Sequence, residues 1–232
     1  MNDSRVAALA RLELRYEPRP WRFAEARRAD IDAYFAEQQR RKPAMWNGRV
    51  LLLHEWELND GLMRGAFLET DFASYIAWRD WGFPDAGVTN CFAQGALRAA
   101  DGAFLLGVMG AHTAGAGSIY FPSGTPDPKD VTDGMVDLDG SVLRELAEET
   151  GLTAHDVVVA PGWHAVLVGR RIALMKLLQA AEGADALRAK ILRHLASEED
   201  PELADIRIVR GPADLDPKMP RFIPTFLREM WK

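Results

Sequence analysis

Three glutamates carry the chemistry that this sequence most plainly offers. Glu145, Glu148 and Glu149 lie in the stretch S-V-L-R-E-L-A-E-E-T-G-L, residues 141–152. At about 100° per residue they fall on one arc of a helix, opposite Val142, Leu143, Leu146, Ala147 and Thr150. Carboxylates three and four positions apart are neighbours on a helix and repel one another. The cluster is tolerable if it faces bulk water, the commonest fate of an acidic helix, or if it holds a hard divalent cation such as Mg²⁺ or Mn²⁺. A cation held there neutralises phosphate oxygens, orients a diphosphate and lowers the pKa of a bound water that attacks phosphorus.

The helix carries its own start and stop signals. Ser141 suits the capping position, and Gly151 suits the left-handed residue that ends a helix. Arg144-Glu145-Leu146-x-Glu148-Glu149-x-Gly151-Leu152 also matches, at every specified position, the second half of the Nudix box, R-E-U-x-E-E-x-G-U, where U is a bulky aliphatic residue. The chain therefore resembles a Nudix hydrolase. The resemblance implies an α/β/α sandwich around a mixed sheet. It implies Glu145, Glu148 and Glu149 as metal ligands, with Arg144 orienting a box glutamate through a charge-assisted pair. It also implies a further acid from a distant loop, for which Glu198, Glu199 and Asp200 are the candidates.

The first half of the box departs from the pattern. Pro122-Ser123-Gly124 resembles the family's P-G-G, but Gly124 stands twenty positions before Arg144 instead of fourteen, and the position of the expected glutamate holds Val136. Asp133, Asp137 and Asp139 lie nearby as substitutes. The lengthened segment is full of turn formers and acids and reads mainly as a solvated loop, with Asp127 or Asp137 as possible contributors of carboxylates.

The elements ahead of the box form an α+β set. A strand is predicted over 8–16 and one surface helix over 23–41. A hairpin follows around Asn59-Asp60-Gly61, and then a helix over 71–81 with Asp71 as its cap. Five of the seven tryptophans (Trp21, Trp46, Trp56, Trp78, Trp81) fall here, most of them expected in the core and one or two available for stacking. This gives an N-terminal α+β domain over 1–85 and a Nudix domain over 86–232. The second domain opens with a hairpin around Ala100-Asp101-Gly102. After the box come strands at 157–159 and 163–177, a helix over 184–197, a short strand at 206–209 and a terminal helix. His164 reads as a structural histidine in a strand.

The extra N-terminal unit, the long box loop and the order W-N-G, hairpin, T-D-F resemble two-domain Nudix proteins that cleave UDP-glucose or UDP-galactose to UMP and a sugar 1-phosphate. ADP-ribose, dinucleotide and coenzyme A substrates stay open, as does a non-catalytic ligand sensor on the same fold. Composition bounds the partners. The net charge of −6 over 232 residues argues against binding nucleic-acid backbone. A small-molecule nucleoside diphosphate derivative is the expected partner. The first residues, M-N-D-S-R-V, hold no apolar signal core, and no apolar run is long enough to span a bilayer. The single cysteine, Cys91, fits a buried thiol in a reducing compartment. These features predict a cytoplasmic protein without membrane partners. The oligomeric state is open, a homodimer among the options.

Overall fold

The computed structural model describes residues 4–43 and 45–232. The first three residues of the M-N-D-S-R-V stretch lie outside the described residues. The strand predicted over 8–16 is two strands, β1 (Ser4–Leu9) and β2 (Arg11–Tyr16), which enter different sheets. Ala10 is the pivot, and its N–H donates to the Gly61 carbonyl at 2.6 Å. The turn lets Leu9 and Leu14 enter one core from two sheets, which a straight strand cannot do. The helix predicted over 23–41 is likewise broken, at Arg27, into α1 (Arg22–Ala26) and α2 (Arg28–Arg41). The next hairpin, β3 (Arg49–Asn59) and β4 (Leu62–Asp71), turns on Asp60 and Gly61, both at positive φ as an Asp-Gly turn requires. α3 (Phe72–Asp80) follows, capped by Asp71 as predicted.

The rest of the chain runs β5 (Asn90–Arg98), β6 (Phe104–Met109), β7 (Ile119–Tyr120), β8 (Val131–Thr132), β9 (Met135–Val136), α4 (Leu138–Thr150), β10 (Val157–Val159), β11 (Trp163–Val168), β12 (Arg171–Ala180), α5 (Ala184–Leu195), β13 (Leu203–Val209) and α6 (Phe222–Met230). Two mixed sheets result. One has the order β1-β11-β12-β5-β6-β13, with β10 on β12 and β7 on β6. The other has the order β3-β4-β2-β9-β8. Each has one parallel pair, β5 with β12 and β2 with β4.

Alternation along β5 shows how the first sheet is covered. Cys91, Ala93 and Leu97 face a core shared with Val142 and Leu146 of α4 and Leu187 and Ile191 of α5. Phe92 and Ala96 face the other way, against Phe222, Ile223 and Phe226 of α6. Helices thus cover both faces, an α/β/α arrangement. The second sheet gives Leu51, Leu53, Met63 and Phe67 to the α4 core, and Val50, Leu52 and Leu68 to a cluster with Trp21, Ile31 and Trp78 under the N-terminal helices.

Both sheets cross the boundary expected at residue 85. β1 pairs with β11 in the first sheet, and β9 pairs with β2 in the second, with β8 on its outer edge. The segment predicted as a solvated loop is therefore ordered: a 3₁₀ turn (Pro128–Asp130) followed by the β8–β9 hairpin, with Val136 buried. Cys91 is buried, and burial pushes its thiol pKa up, which suits a structural role. Among the described residues no helix is long and apolar enough to cross a membrane.

Candidate functional site

α4 begins three residues before the predicted cap. Asp137, not Ser141, is the N-cap, accepting from the Gly140 N–H at 2.9 Å. The helix ends as predicted at Gly151, with φ 69°. Leu138, Val142 and Leu146 bury its apolar face. The three glutamates do not share one wet face. Glu148 has a side chain 63% exposed, Glu145 only 14%, and Glu149 is buried. The helical wheel explains the fan, because Glu149 sits only about 20° from Val142, at the apolar edge of the arc.

The two inner glutamates meet the loop at 122–124. One Glu149 oxygen accepts from the Ser123 N–H at 2.9 Å, and the other, Oε2, is buried without a partner. The Glu145 carboxylate lies against Gly124 so closely that a Cβ there would stand 2.5 Å from Oε1. A side chain at that position would push the carboxylate aside, so the glycine leaves room for it. Burial pushes the Glu145 pKa up to about 7. Arg144 opposes the shift, and Glu148 and Glu202 add to it. Glu149 is raised well above the usual carboxylate range, first by burial and then, against its Ser123 hydrogen bond, by Glu202, Glu145 and Glu148. Two carboxylates are held here where solvent stabilises their charge poorly.

Arg144 knits the cluster together. Nη2 donates to Glu145 Oε1 at 3.1 Å, and Nε lies 4.0 Å from Glu148. Nη1 donates to Asp130 at 2.7 Å. Asp130, buried on the 3₁₀ turn, is the acid that answers Arg144 where the family pattern leads to Val136. It is none of the substitutes named from sequence. Asp137 caps α4, Asp139 pairs with Lys176 at 2.7 Å, Asp127 caps the 3₁₀ turn, and Asp133 lies in the β8–β9 turn. Sequence distance hid Asp130; its only local signal is the Asp-Pro-x-Asp capping pattern.

Two of the acids named as distant candidates are paired elsewhere. Glu198 lies 3.7 Å from His194, and Asp200 lies 3.6 Å from His112. The acid that faces the cluster electrostatically is Glu202, just before the first buried residue of β13. Burial raises its pKa, His112 opposes the rise, and Glu148 adds to it. Residues 197–200 form a solvated turn, whereas Glu202 is fixed by the strand that follows. His164 lies edge-on to Phe226 at 5.7 Å, but its Nδ1 is buried without a hydrogen-bond partner, so the satisfied histidine expected from the sequence is not what the strand holds.

Ser123 and Gly124 also line a cavity of about 360 Å³, within the range of small-molecule sites. Its walls bring together α3, β5, the start of α6 and the loop over 114–118. A second cavity of about 330 Å³ shares Phe72, Ala114 and Thr125 with it and reaches Glu202 and His112. Trp46, 79% exposed, lies on this second cavity, while Trp21 and Trp78 are core. The hollows around Ala10–Arg64 and Pro18–Asp71 touch none of the box residues.

The donor set fits a hard divalent cation: carboxylate oxygens only, two of the groups sheltered, and one oxygen buried without a partner. The three helix glutamates are not drawn together in advance. Among the described residues no group of three His, Cys, Asp or Glu side chains stands close enough to hold an ion.

No protein-family model and no curated protein matches the chain. Several solved structures are similar to it. A Nudix hydrolase from M. smegmatis is 20% identical, over 61% of this chain and 83% of its own, at a TM-score of 0.38. The MutT protein from Methanosarcina mazei Go1 is 18% identical, over 61% and 92%, at 0.42. A pyrophosphohydrolase from Bacillus subtilis is 14% identical, over 81% and 94%, at 0.39.

Proposed function

We propose that the chain is a Nudix-type hydrolase that uses Mg²⁺ or Mn²⁺ to cleave the diphosphate linkage of a nucleoside diphosphate derivative, a nucleotide sugar such as UDP-glucose being the first substrate to test. One observation carries the reading: Glu145 and Glu149 turn from the box helix onto Ser123 and Gly124, at the wall of a ligand-sized cavity. In this reading Glu145 and Glu149 hold the cation, with Glu148 as the outer donor. The cation supplies charge neutralisation and an acidified water. The chain's own residues do the positioning. Asp130 sets Arg144, Arg144 sets Glu145, and the Ser123 N–H sets Glu149. Glu202 adds a carboxylate facing this group, available to take a proton from the attacking water. The unit before residue 85 contributes Phe72, Tyr75 and Arg79 to the cavity wall, and we assign it a part in choosing the substrate. A cytoplasmic location belongs to the same proposal.

The test is a panel of nucleotide sugars, ADP-ribose, dinucleotides and coenzyme A with Mg²⁺ or Mn²⁺, products resolved by chromatography. Metal-dependent release of a nucleoside monophosphate supports the reading; intact substrates throughout refute it. That no three carboxylates among the described residues stand ready to hold an ion favours one rival, a ligand sensor on the same fold. It predicts that panel members bind and remain uncut.

A further inference from the structure

The cavity beside the inner glutamates has a differentiated far end. Near the glutamates, Gln94 Nε2 donates to the Phe121 carbonyl at 3.3 Å and to Ser123 Oγ at 3.0 Å. A carbonyl only accepts, so the amide cannot be turned over, and Gln94 Oε1 is left buried without a partner. Four residues back along β5, about 13 Å of strand, Asn90 makes a related contact, to a hydroxyl that donates as readily as it accepts and so does not fix the amide's orientation. Its Nδ2 donates to the Tyr75 hydroxyl at 3.0 Å, and Oδ1 is buried without a partner. Both amides line the cavity. Buried acceptors without donors are costly, and a ligand bearing hydroxyl or N–H groups satisfies them.

Arg171 stands opposite Asn90 in the parallel register of β12 and β5, on the same cavity. Its guanidinium lies over the Phe83 ring at 5.0 Å, and among the described residues its side chain has no ion pair. The nearby Asp80 is already engaged, accepting from Arg79 at 2.7 Å and from the Tyr34 hydroxyl at 2.8 Å. Two guanidinium groups against one carboxylate leave this end with a net positive charge. Burial lowers the Arg171 pKa, as a sheltered cation without a counter-ion requires. Phe72, Tyr75, Phe92 and Phe222 supply flat apolar wall between the two ends.

We propose that this cavity is the subsite for one moiety of the substrate, and that the moiety is a hydroxylated ring bearing a second anionic group, a carboxylate or a phosphate monoester, which Arg171 binds. The inference rests on the diphosphatase reading for what occupies the near end. Its consequence is selectivity for the charged member of any otherwise matched pair.

Calorimetry on the Mg²⁺-loaded protein with uncleavable product pairs tests it apart from hydrolysis. Glucuronate 1-phosphate against glucose 1-phosphate tests the carboxylate, and adenosine 2′,5′-bisphosphate against AMP tests the phosphate. In at least one pair the member with the second anionic group binds roughly tenfold to a hundredfold more tightly. Arg171→Gln removes that preference and leaves the affinity of the member without it unchanged, which also shows that the variant is folded. Arg171→Lys restores part of the preference. Equal affinities within both pairs, a preference that survives Arg171→Gln, or no binding of any of the four overturns the inference. The hydrolysis panel is read separately, so the subsite can fail while the diphosphatase reading stands.

Discussion

Glu149 keeps a carboxyl group where burial disfavours its charge, and Glu145 beside it titrates near 7 instead of in the ordinary carboxylate range. Folded-state values raised above the unfolded ones mean that the folded protein holds extra protons in between. Stability present at low pH is then lost as pH rises through about 7. Thermal melting of metal-stripped protein should show this fall from pH 5 to 8, and Mg²⁺ or Mn²⁺ should reverse it at the upper end. A flat profile would mean that both groups sit comfortably ionised. Glu149→Gln removes the charge and keeps the shape. It should raise the melting temperature of the metal-free protein above pH 7 and cut hydrolysis by at least about 100-fold, beyond what losing a supporting group costs. Glu148→Gln, at an exposed position, should lower hydrolysis with no change in melting. Asp130→Asn leaves Arg144 without its buried partner; denaturant titration should show a loss on the order of 1–3 kcal/mol, with hydrolysis reduced because Glu145 is no longer steered.

α4 acts as a device for turning two carboxylates toward one loop, and its apolar face fixes the rotation. Leu146 is fully buried, so Leu146→Ala should cost about 2–5 kcal/mol by chemical denaturation. An unchanged midpoint would contradict this orientation. Gly124→Ala places a methyl group against the Glu145 carboxylate and should depress hydrolysis with little loss of stability, since the side chain is displaced and the core is not. Much of this element was legible in the sequence, because Gly151, the apolar positions and the glutamates obey helical periodicity. Periodicity also puts Glu149 beside Val142 at the apolar edge of the arc; what it cannot show is which segment meets that edge, so the loop at 122–124 that receives Glu149 was not legible. Asp130 and Glu202 were hidden for a related reason. Each reaches the cluster through tertiary packing, one from a 3₁₀ turn and one from a strand start, and neither has a spacing relation to the box. The break at Ala10 did leave a mark, since Leu9 is out of phase with Leu12, Leu14 and Tyr16, but a phase slip alone does not show that the two halves enter different sheets.

The molecule buries Leu9, Leu14, Leu51 and Leu53 with Val142 and Leu146 in one cluster, so the N-terminal elements and the box helix lean on the same core. Unfolding followed by fluorescence and circular dichroism should be a single coincident transition, and a fragment beginning at residue 86 should fail to fold, having lost β1 from its sheet. A fragment with native-like melting would show that the shared core is not needed. At this scale the claim to be tested is that a sheet-supported helix and a glycine loop together make a cation site from carboxylates that would otherwise be uncomfortable. Titrating Mn²⁺ into the protein near pH 6.5 by calorimetry, in two buffers of different ionisation enthalpy, tests it most directly. The account predicts saturable binding whose apparent heat differs between the buffers, because protons leave Glu145 and Glu149 as the ion enters, and it predicts loss of that binding in Glu145→Gln and Glu149→Gln. No binding at millimolar Mn²⁺, or binding unchanged in both variants, would contradict it.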